Sequence, residues 1–331
     1  MSLAFEFGVD TLHCGEAVAI ARKLKPAHLG YQSMEKLRAG AAAVQEIVSN
    51  HQTVYGVNTG FGILANTRIS EEHTQVLQHK ILQSHSVGVG DPVDPFIVKL
   101  MLIGKLQALA QGYSGVRPST LERIIWHLDQ EILPVVPEQG SVGASGDLAP
   151  LAHLFLPLIG MGECVYKGKV VPTAAILQQE GMEPLQLGPK EGLALINGTQ
   201  FMLAYAVQGL LRMHNCLEAA DIIGAMSLEA LTGTKAPFDE RLHQLRPYAG
   251  SRLVAQRLRK LLDASAIMQS HIDCGRVQDP YSLRCMPQVH GASRNSWLHL
   301  KEITEIELNA VTDNPVIFSG SDSISGGNFH G

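Results

Sequence analysis

The segment Gly140-Ser141-Val142-Gly143-Ala144-Ser145-Gly146-Asp147-Leu148 could build an electrophile from its own backbone. Ser145 stands between two small residues, where a sharp turn costs little. Gly146 has no Cβ, so its amide nitrogen can be pressed against the carbonyl carbon of Ala144. Attack closes a five-membered ring. Loss of water from the adduct and from Ser145 then leaves an exocyclic methylidene. The product is a methylideneimidazolone, a carbon electrophile that no ordinary side chain supplies. Asp147 reads as an N-cap, with Leu148-Ala149-Pro150 as the first helical turn. The ring would then face the positive end of a helix dipole. Two other readings stay open. Gly143-Ala144-Ser145 fits the first half of a G-x-S-x-G nucleophile elbow, as in serine-dependent acyl transfer. Asp147, however, stands where the last glycine belongs, and no strand is expected ahead of it. A plain capped helix start is the third reading.

Glycine clusters also at Gly56-Val57-Asn58-Thr59-Gly60-Phe61-Gly62 and at Gly326-Gly327-Asn328-Phe329-His330-Gly331. Such groups between helices mark unusual backbone, close approach of a ligand, or ordinary turns.

The elements around these loops read as helices. Ser33 can cap a helix that carries Leu37, Ala41, Val44 and Val48 on one face. Ser70-Glu71-Glu72 opens another with acid at the positive dipole end. Asp94-Pro95 is a cap followed by a first-turn proline, and the apolar run from Phe96 ends before Gly112. From Gly198 to Leu231 the chain is apolar on nearly every side, as in a helix buried among helices. Arg252 to Gln269 and Ser293 to Ala310 are further helical stretches. Short hairpins are expected at Val165 to Val171 and at Val316 to Ile324. No strand–helix alternation and no internal repeat is visible. The architecture expected is mainly α: a small mixed N-terminal domain over residues 1–200, carrying the electrophile loop, and a long-helix bundle over 201–331.

Composition narrows the function classes. Apolar residues make up 45% and charged residues 17%, which argues for a folded core. Net charge is −5 without a basic run, so nucleic acid is not an expected partner. The five cysteines are scattered without C-x-x-C spacing, which leaves no zinc or redox motif and suits a reducing cytosol. Met1 to Asp10 carries Glu6 and Asp10 and does not read as a signal peptide. Leu148 to Gly162 is interrupted by Pro150, His153 and Pro157 and is too short to span a bilayer. His73, His79 and His85 recur every six residues, which does not stack on one helix face, so no metal site is expected. Gly60-Phe61-Gly62 lacks the third glycine of a dinucleotide fingerprint. These features lead us to expect a soluble, globular, cytoplasmic protein, and they do not by themselves say what it does.

Tyr55 with Thr59-Gly60-Phe61-Gly62, the Ala144-Ser145-Gly146-Asp147 core, Asn197-Gly198-Thr199 and Gln278-Asp279-Pro280-Tyr281-Ser282-Leu283-Arg284 occur in this order. Together they resemble the aromatic amino acid ammonia-lyase family along nearly the whole chain. The resemblance implies a carbon–nitrogen lyase with the fumarase/aspartase-like helical fold, assembled as a homotetramer with several subunits lining each site. Fumarase and aspartase themselves use a serine-rich signature loop with a lysine, to which nothing here corresponds. The cofactor implied is the methylideneimidazolone from Ala144-Ser145-Gly146. Tyr55 matches the family's base, which needs nearby donors or positive charge to act near neutrality. Arg284 matches the carboxylate-binding arginine, where a planar fork suits the geometry. Asn197 matches an amide donor beside ring and substrate. Tyr281 and Gln278 match the loop that closes over the site, and Phe329 an aromatic near the ring.

Ser84-His85 stands where two adjacent family positions face the substrate side chain. Ser-His resembles the histidine-specific members, because His85 can exchange a hydrogen bond with an imidazole and a phenyl ring offers it nothing. The reaction implied is L-histidine to trans-urocanate and ammonia. Phenylalanine or tyrosine ammonia-lyase or aminomutase activity within the same family is the alternative, and a non-catalytic assembly chain of the same fold is a second. Family members continue past the segment matching Gly326 to Gly331, through further helices that carry an active-site glutamate. The 331-residue chain by itself is therefore expected to be a poor catalyst.

Overall fold

The computed structural model describes residues 4–50, 53–60, 69, 71–141, 147–318 and 322–327. Ala144, Ser145, Gly146 and Phe329 lie outside these residues, as does Ser70. The described chain is mainly helical and divides into two compact units. The first takes Met1–Val207 and Thr304–Gly331, and the second takes Gln208–Ile303.

The first unit is built around the helix Pro95–Ala110. Asp94 caps it by accepting from the Phe96 amide at 2.7 Å, and Pro95 occupies the first turn. From Leu100 to Ala110 every residue of this helix is buried, so it is surrounded on all faces. The helix Tyr31–Ser49 packs on it and buries Leu37, Ala43, Val44 and Ile47. Ser33 does not cap that helix. Gly30 holds the N-cap position, and the buried Ser33 hydroxyl donates to the Phe7 carbonyl at 2.6 Å. Three shorter helices, Glu71–His85, Leu148–Phe155 and Glu191–Ile196, pack against one another.

Strands are short. Glu163–Tyr166 and Lys169–Pro172 form the expected hairpin, turned at Lys167 and Gly168, whose positive φ values of 50° and 76° suit such a tight reversal. Val316–Ile317 pairs with Ser323–Ile324 as the second hairpin. A strand does precede the electrophile segment: Pro137–Gln139 pairs with Val89–Pro92. It is a three-residue edge piece with a proline, too short and too irregular to announce itself by alternation.

The helix Gln200–Ala230 begins in the first unit and runs through the second. It is not hidden on all sides: Met213, Ile222, Ile223 and Met226 are exposed. The stretch 252–269 is two helices, Ala249–Leu261 and Ala266–Ser270. Ala264, with φ 56°, breaks the path, and the Ser265 hydroxyl caps the second helix through the Met268 amide. The second unit's apolar core gathers Leu228, Phe238, Val254, Leu258, Leu262, Leu283 and Met286. No helix among the described residues is long and apolar enough to cross a membrane.

Asp221 is the ionic centre of the second unit. Its fully buried carboxylate meets Arg294 at 2.6 Å, Arg257 at 2.8 Å and His290 at 2.9 Å. Burial alone would raise its pKa, but His290, Arg294 and Arg257 together hold it below the ordinary carboxylate value. A folded value below the unfolded one means stabilisation that is complete above about pH 4 and lost as pH falls through the folded value. Asp221→Asn should cost about 3 kcal/mol near neutrality, because buried cations lose their partner. In urea unfolding the gap to the unmutated protein should narrow below about pH 4. A gap that stays constant down to strongly acid pH would contradict this assignment.

Candidate active site

Asp147 is fully buried, and its carboxylate is satisfied by three donors. Oδ1 accepts from the Ser141 hydroxyl at 2.7 Å. Oδ2 accepts from the backbone amides of Phe201 at 2.8 Å and Met202 at 3.0 Å. Asp147 does hold the N-cap position of Leu148–Phe155, but its side chain makes no bond to that helix. It caps the Gln200–Ala230 helix instead, whose first-turn amides lack partners of their own. Ser141 and Asp147 stand on either side of residues 142–146, so the hydrogen bond between them ties together the two ends of the electrophile segment.

Tyr55 is half-buried in a tight turn. Gly56 has φ 70°, and its amide donates to the Thr59 hydroxyl at 3.1 Å. The Asn58 side chain accepts from the Val54 amide at 3.0 Å. Gln78, fully buried on the helix Glu71–His85, reaches this turn through a weak Nε2–Gly56 carbonyl bond of 3.4 Å. Its Oε1 accepts from the Leu193 amide at 3.2 Å. The helix that ends at Asn197 is thereby tied to the turn that holds Tyr55. Asn197 itself is buried, and the Lys105 ammonium donates to its carbonyl at 2.7 Å.

His85 is the last residue of the helix Glu71–His85 and is half-buried. Its Nδ1 lies 2.9 Å from the Ile81 carbonyl and 3.0 Å from the Ser84 hydroxyl. A carbonyl only accepts, so Nδ1 carries the hydrogen and the neutral ring presents Nε2 as an acceptor. Three residues on, the Gly88 amide donates to His153 Nε2 at 3.0 Å, which fixes His153 as the Nδ1–H tautomer. Burial lowers the His153 pKa, in keeping with a ring that must stay neutral to accept.

Gln278, Tyr281 and Arg284 belong to the second unit. Gln278 and Tyr281 are exposed. Asp279 anchors their loop, accepting from the Thr234 amide at 2.6 Å. The Arg284 guanidinium lies 4.0 Å from the Tyr281 ring centroid, and its buried Nε has no hydrogen-bond partner among the described residues. The structure thus places Tyr55, His85 and Asn197 on one framework and Gln278, Tyr281 and Arg284 on another. Sequence reasoning missed Gln78 and Lys105. Glutamine carries no spacing signal, but a lysine inside the apolar run Leu100 to Ala110 was a visible anomaly. Among the described residues no cluster of three or more His, Cys, Asp or Glu could hold a metal.

A sequence profile described as aromatic amino acid lyase matches residues 12–331. The chain is 48% identical over 321 residues to a histidine ammonia-lyase of Sorangium cellulosum, a match that covers 94% of this chain and 62% of that protein. Among solved structures it resembles histidine ammonia-lyase from Trypanosoma cruzi, with 37% identity and a TM-score of 0.87, over 99% of this chain and 61% of that one. It also resembles tyrosine aminomutase from Streptomyces globisporus, with 32% identity and a TM-score of 0.91, over 99% of this chain and 66% of that one. The chain therefore spans less than two thirds of each of these proteins and has their fumarase/aspartase-like helical fold.

The Asp147 closure yields a stability prediction independent of chemistry. Asp147→Ala strands the buried Phe201 amide and removes the partner of the Met202 amide and the Ser141 hydroxyl. The expected loss is about 2 kcal/mol or more. Asp147→Asn keeps one acceptor and should lose less. Urea denaturation of the three proteins checks the order, and an Asp147→Ala protein as stable as the unmutated one would refute it.

Proposed function

The chain belongs to the aromatic amino acid lyase family, and from that premise we propose that the enzyme it forms deaminates L-histidine to trans-urocanate and ammonia. The observation that carries the reading is the shared framework of the first unit. Gln78 links the Tyr55 turn to the Asn197 helix, and Asp147 links the flank of Ala144-Ser145-Gly146 to the helix that follows Asn197.

The flanks suit a self-formed ring. A small–Ser–Gly core lies between residues whose side chains are bonded to each other, and strained backbone persists only where its surroundings over-determine it. Ala144, Ser145 and Gly146 would hold the methylideneimidazolone, which supplies an electrophilic carbon that draws electron density as the amine departs. Tyr55 takes the β-proton of the substrate, the C–N bond breaks, and ammonia leaves with its electron pair. The Asn197 amide donates toward the developing charge. Arg284 holds the substrate carboxylate, a role that suits its unpartnered Nε. The family resemblance assigns Gln278 and Tyr281 to the loop that closes over the site, and Phe329 to an aromatic position near the ring.

Histidine fits the His85 geometry. Its imidazole N–H donates to Nε2, the acceptor that the Nδ1–Ile81 bond leaves available. Assembly into a homotetramer fits the exposed Ile222, Ile223 and Met226 on the helix Gln200–Ala230 and the exposed Val289 and Ile303 on the helix Met286–Leu308, which are large apolar side chains facing water. A cytoplasmic setting fits five cysteines without a disulfide.

Two substitutions test the reading. Ser145→Ala leaves no hydroxyl to eliminate, so near-ultraviolet ring absorbance and urocanate formation should both disappear. Retained turnover with an unmodified residue 145 would sink the assignment. His85→Leu removes the acceptor for the substrate imidazole, at roughly 1–3 kcal/mol. Its kcat/KM for histidine relative to phenylalanine should therefore fall by about one to two orders of magnitude. An unmutated enzyme that prefers phenylalanine or tyrosine would reject histidine as the substrate.

A further inference from the structure

Lys105 sits in the middle of the helix Pro95–Ala110 with no solvent exposure. A buried ammonium is costly unless it does something no apolar residue could. Its Nζ makes one hydrogen bond among the described residues, to the carbonyl of Asn197 at 2.7 Å. The carboxylate whose charge acts on it most is paired elsewhere. Asp313 is bonded to Lys190 at 2.5 Å and to the Ser114 hydroxyl at 2.6 Å. Among the described residues Lys105 therefore serves no ion pair, and a core helix has placed a lysine on a single backbone carbonyl.

That carbonyl lies in the turn between two helices. Asn197 ends the helix Glu191–Ile196, Gly198 follows with φ 156°, and the long helix starts at Gln200. The residues after it are already pinned. Thr199 donates to Glu307 at 2.6 Å, Gln200 to Thr312 at 2.8 Å, and Asp147 takes the Phe201 and Met202 amides. A side chain at Gly198 would run into Gln200 and Thr312, so the turn has no slack on that side. The Lys105 bond holds the peptide of Asn197 on the other side.

We propose that Lys105 is a positioning residue for the reaction, and that its bond to the Asn197 carbonyl sets where the Asn197 amide is presented. The proposal rests on the functional reading above. The charged groups facing Lys105 are Asp313 and Asp147, which favour its ammonium form, and Lys190, which opposes it. Burial outweighs the two carboxylates and brings the lysine down to about 7. Its cost is thus borne in the fold, while its benefit appears in the placement of one amide.

The experiment compares the intact enzyme with Lys105→Met and Lys105→Arg. Each is assayed on histidine, phenylalanine and tyrosine, and the comparison is made on whichever amino acid the unmutated enzyme deaminates. Ring absorbance per subunit and Tm are recorded for each. Lys105→Met is expected to keep Tm and ring absorbance, to leave KM little changed, and to lose kcat on the order of 100-fold, as displacement of a reacting group by about 1 Å does. Lys105→Arg keeps a donor and should recover most of that loss. A purely structural lysine predicts the opposite, a lower Tm with a normal kcat per ring-bearing subunit. Normal kcat in Lys105→Met overturns the proposal, and so does a loss fully accounted for by missing ring or unfolded protein. If Lys105→Met does not fold, Lys105→Arg decides: near-normal kcat supports donor positioning, and a folded, ring-bearing but inactive protein overturns it. An unmutated enzyme that deaminates none of the three amino acids removes the functional reading and this proposal together. A working unmutated enzyme with an unaffected Lys105→Met removes only the proposal.

Discussion

A carboxylate without access to water must find donors for its lone pairs, and in the first unit Asp147 finds all of them in places that matter. Two donors are amides at the start of the Gln200–Ala230 helix, where backbone N–H groups are unpaired and the helix field favours negative charge. The third is Ser141, across the electrophile segment. One side chain therefore fixes two relations at once. It sets the separation of the segment's ends, and it sets the position of those ends against the long helix. Asn197 lies three residues ahead of that helix start, so its placement follows from the same contact. Remove the charge and each relation becomes adjustable.

Two neutral side chains of this unit follow the same logic. Gln78 uses both ends of its amide on backbone, one toward the Tyr55 turn and one toward the helix that leads to Asn197. His153 uses its ring nitrogen on the Gly88 amide, just beyond His85. Buried polar groups are tolerable only when satisfied, and a satisfied network resists small displacements because each shift breaks several bonds. For chemistry that depends on ångström-level placement of a base, a donor and an electrophile, that resistance is the useful property.

What could be read in the sequence was what is local. Asp94-Pro95 caps its own helix, and the Lys167-Gly168 turn closes its own hairpin, so both were visible in a few residues. The small–Ser–Gly requirement for ring closure is equally local. Ser33 does not hold the cap position expected of it, and Asp147 holds its N-cap position without a side-chain bond to that helix, for one reason. Each has cap chemistry, but each spends its oxygens on distant partners, Phe7 and Glu6 in one case and Phe201 and Met202 in the other. The break at Ala264 escaped because alanine gives no warning of a left-handed conformation. Gln78 and Lys105 escaped because their meaning lies in which backbone groups they meet, more than ninety residues away in each longest case.

The two groups of site residues are held in contrasting ways, and the contrast bears on what each can do. The Tyr55 turn, the His85 ring and the Asn197 carbonyl each take hydrogen bonds within the first unit. Gln278 and Tyr281 are exposed on a loop anchored through Asp279, and Arg284 leans on the Tyr281 ring with a buried Nε still unpaired. A guanidinium stacked on an aromatic face keeps its plane while its donors stay available, which suits a carboxylate that comes and goes. An exposed aromatic and an exposed amide cost little to move. On the proposed reading, the groups that must hold still during bond cleavage lie on the rigid framework, and those that must admit and release the amino acid lie on the adjustable one.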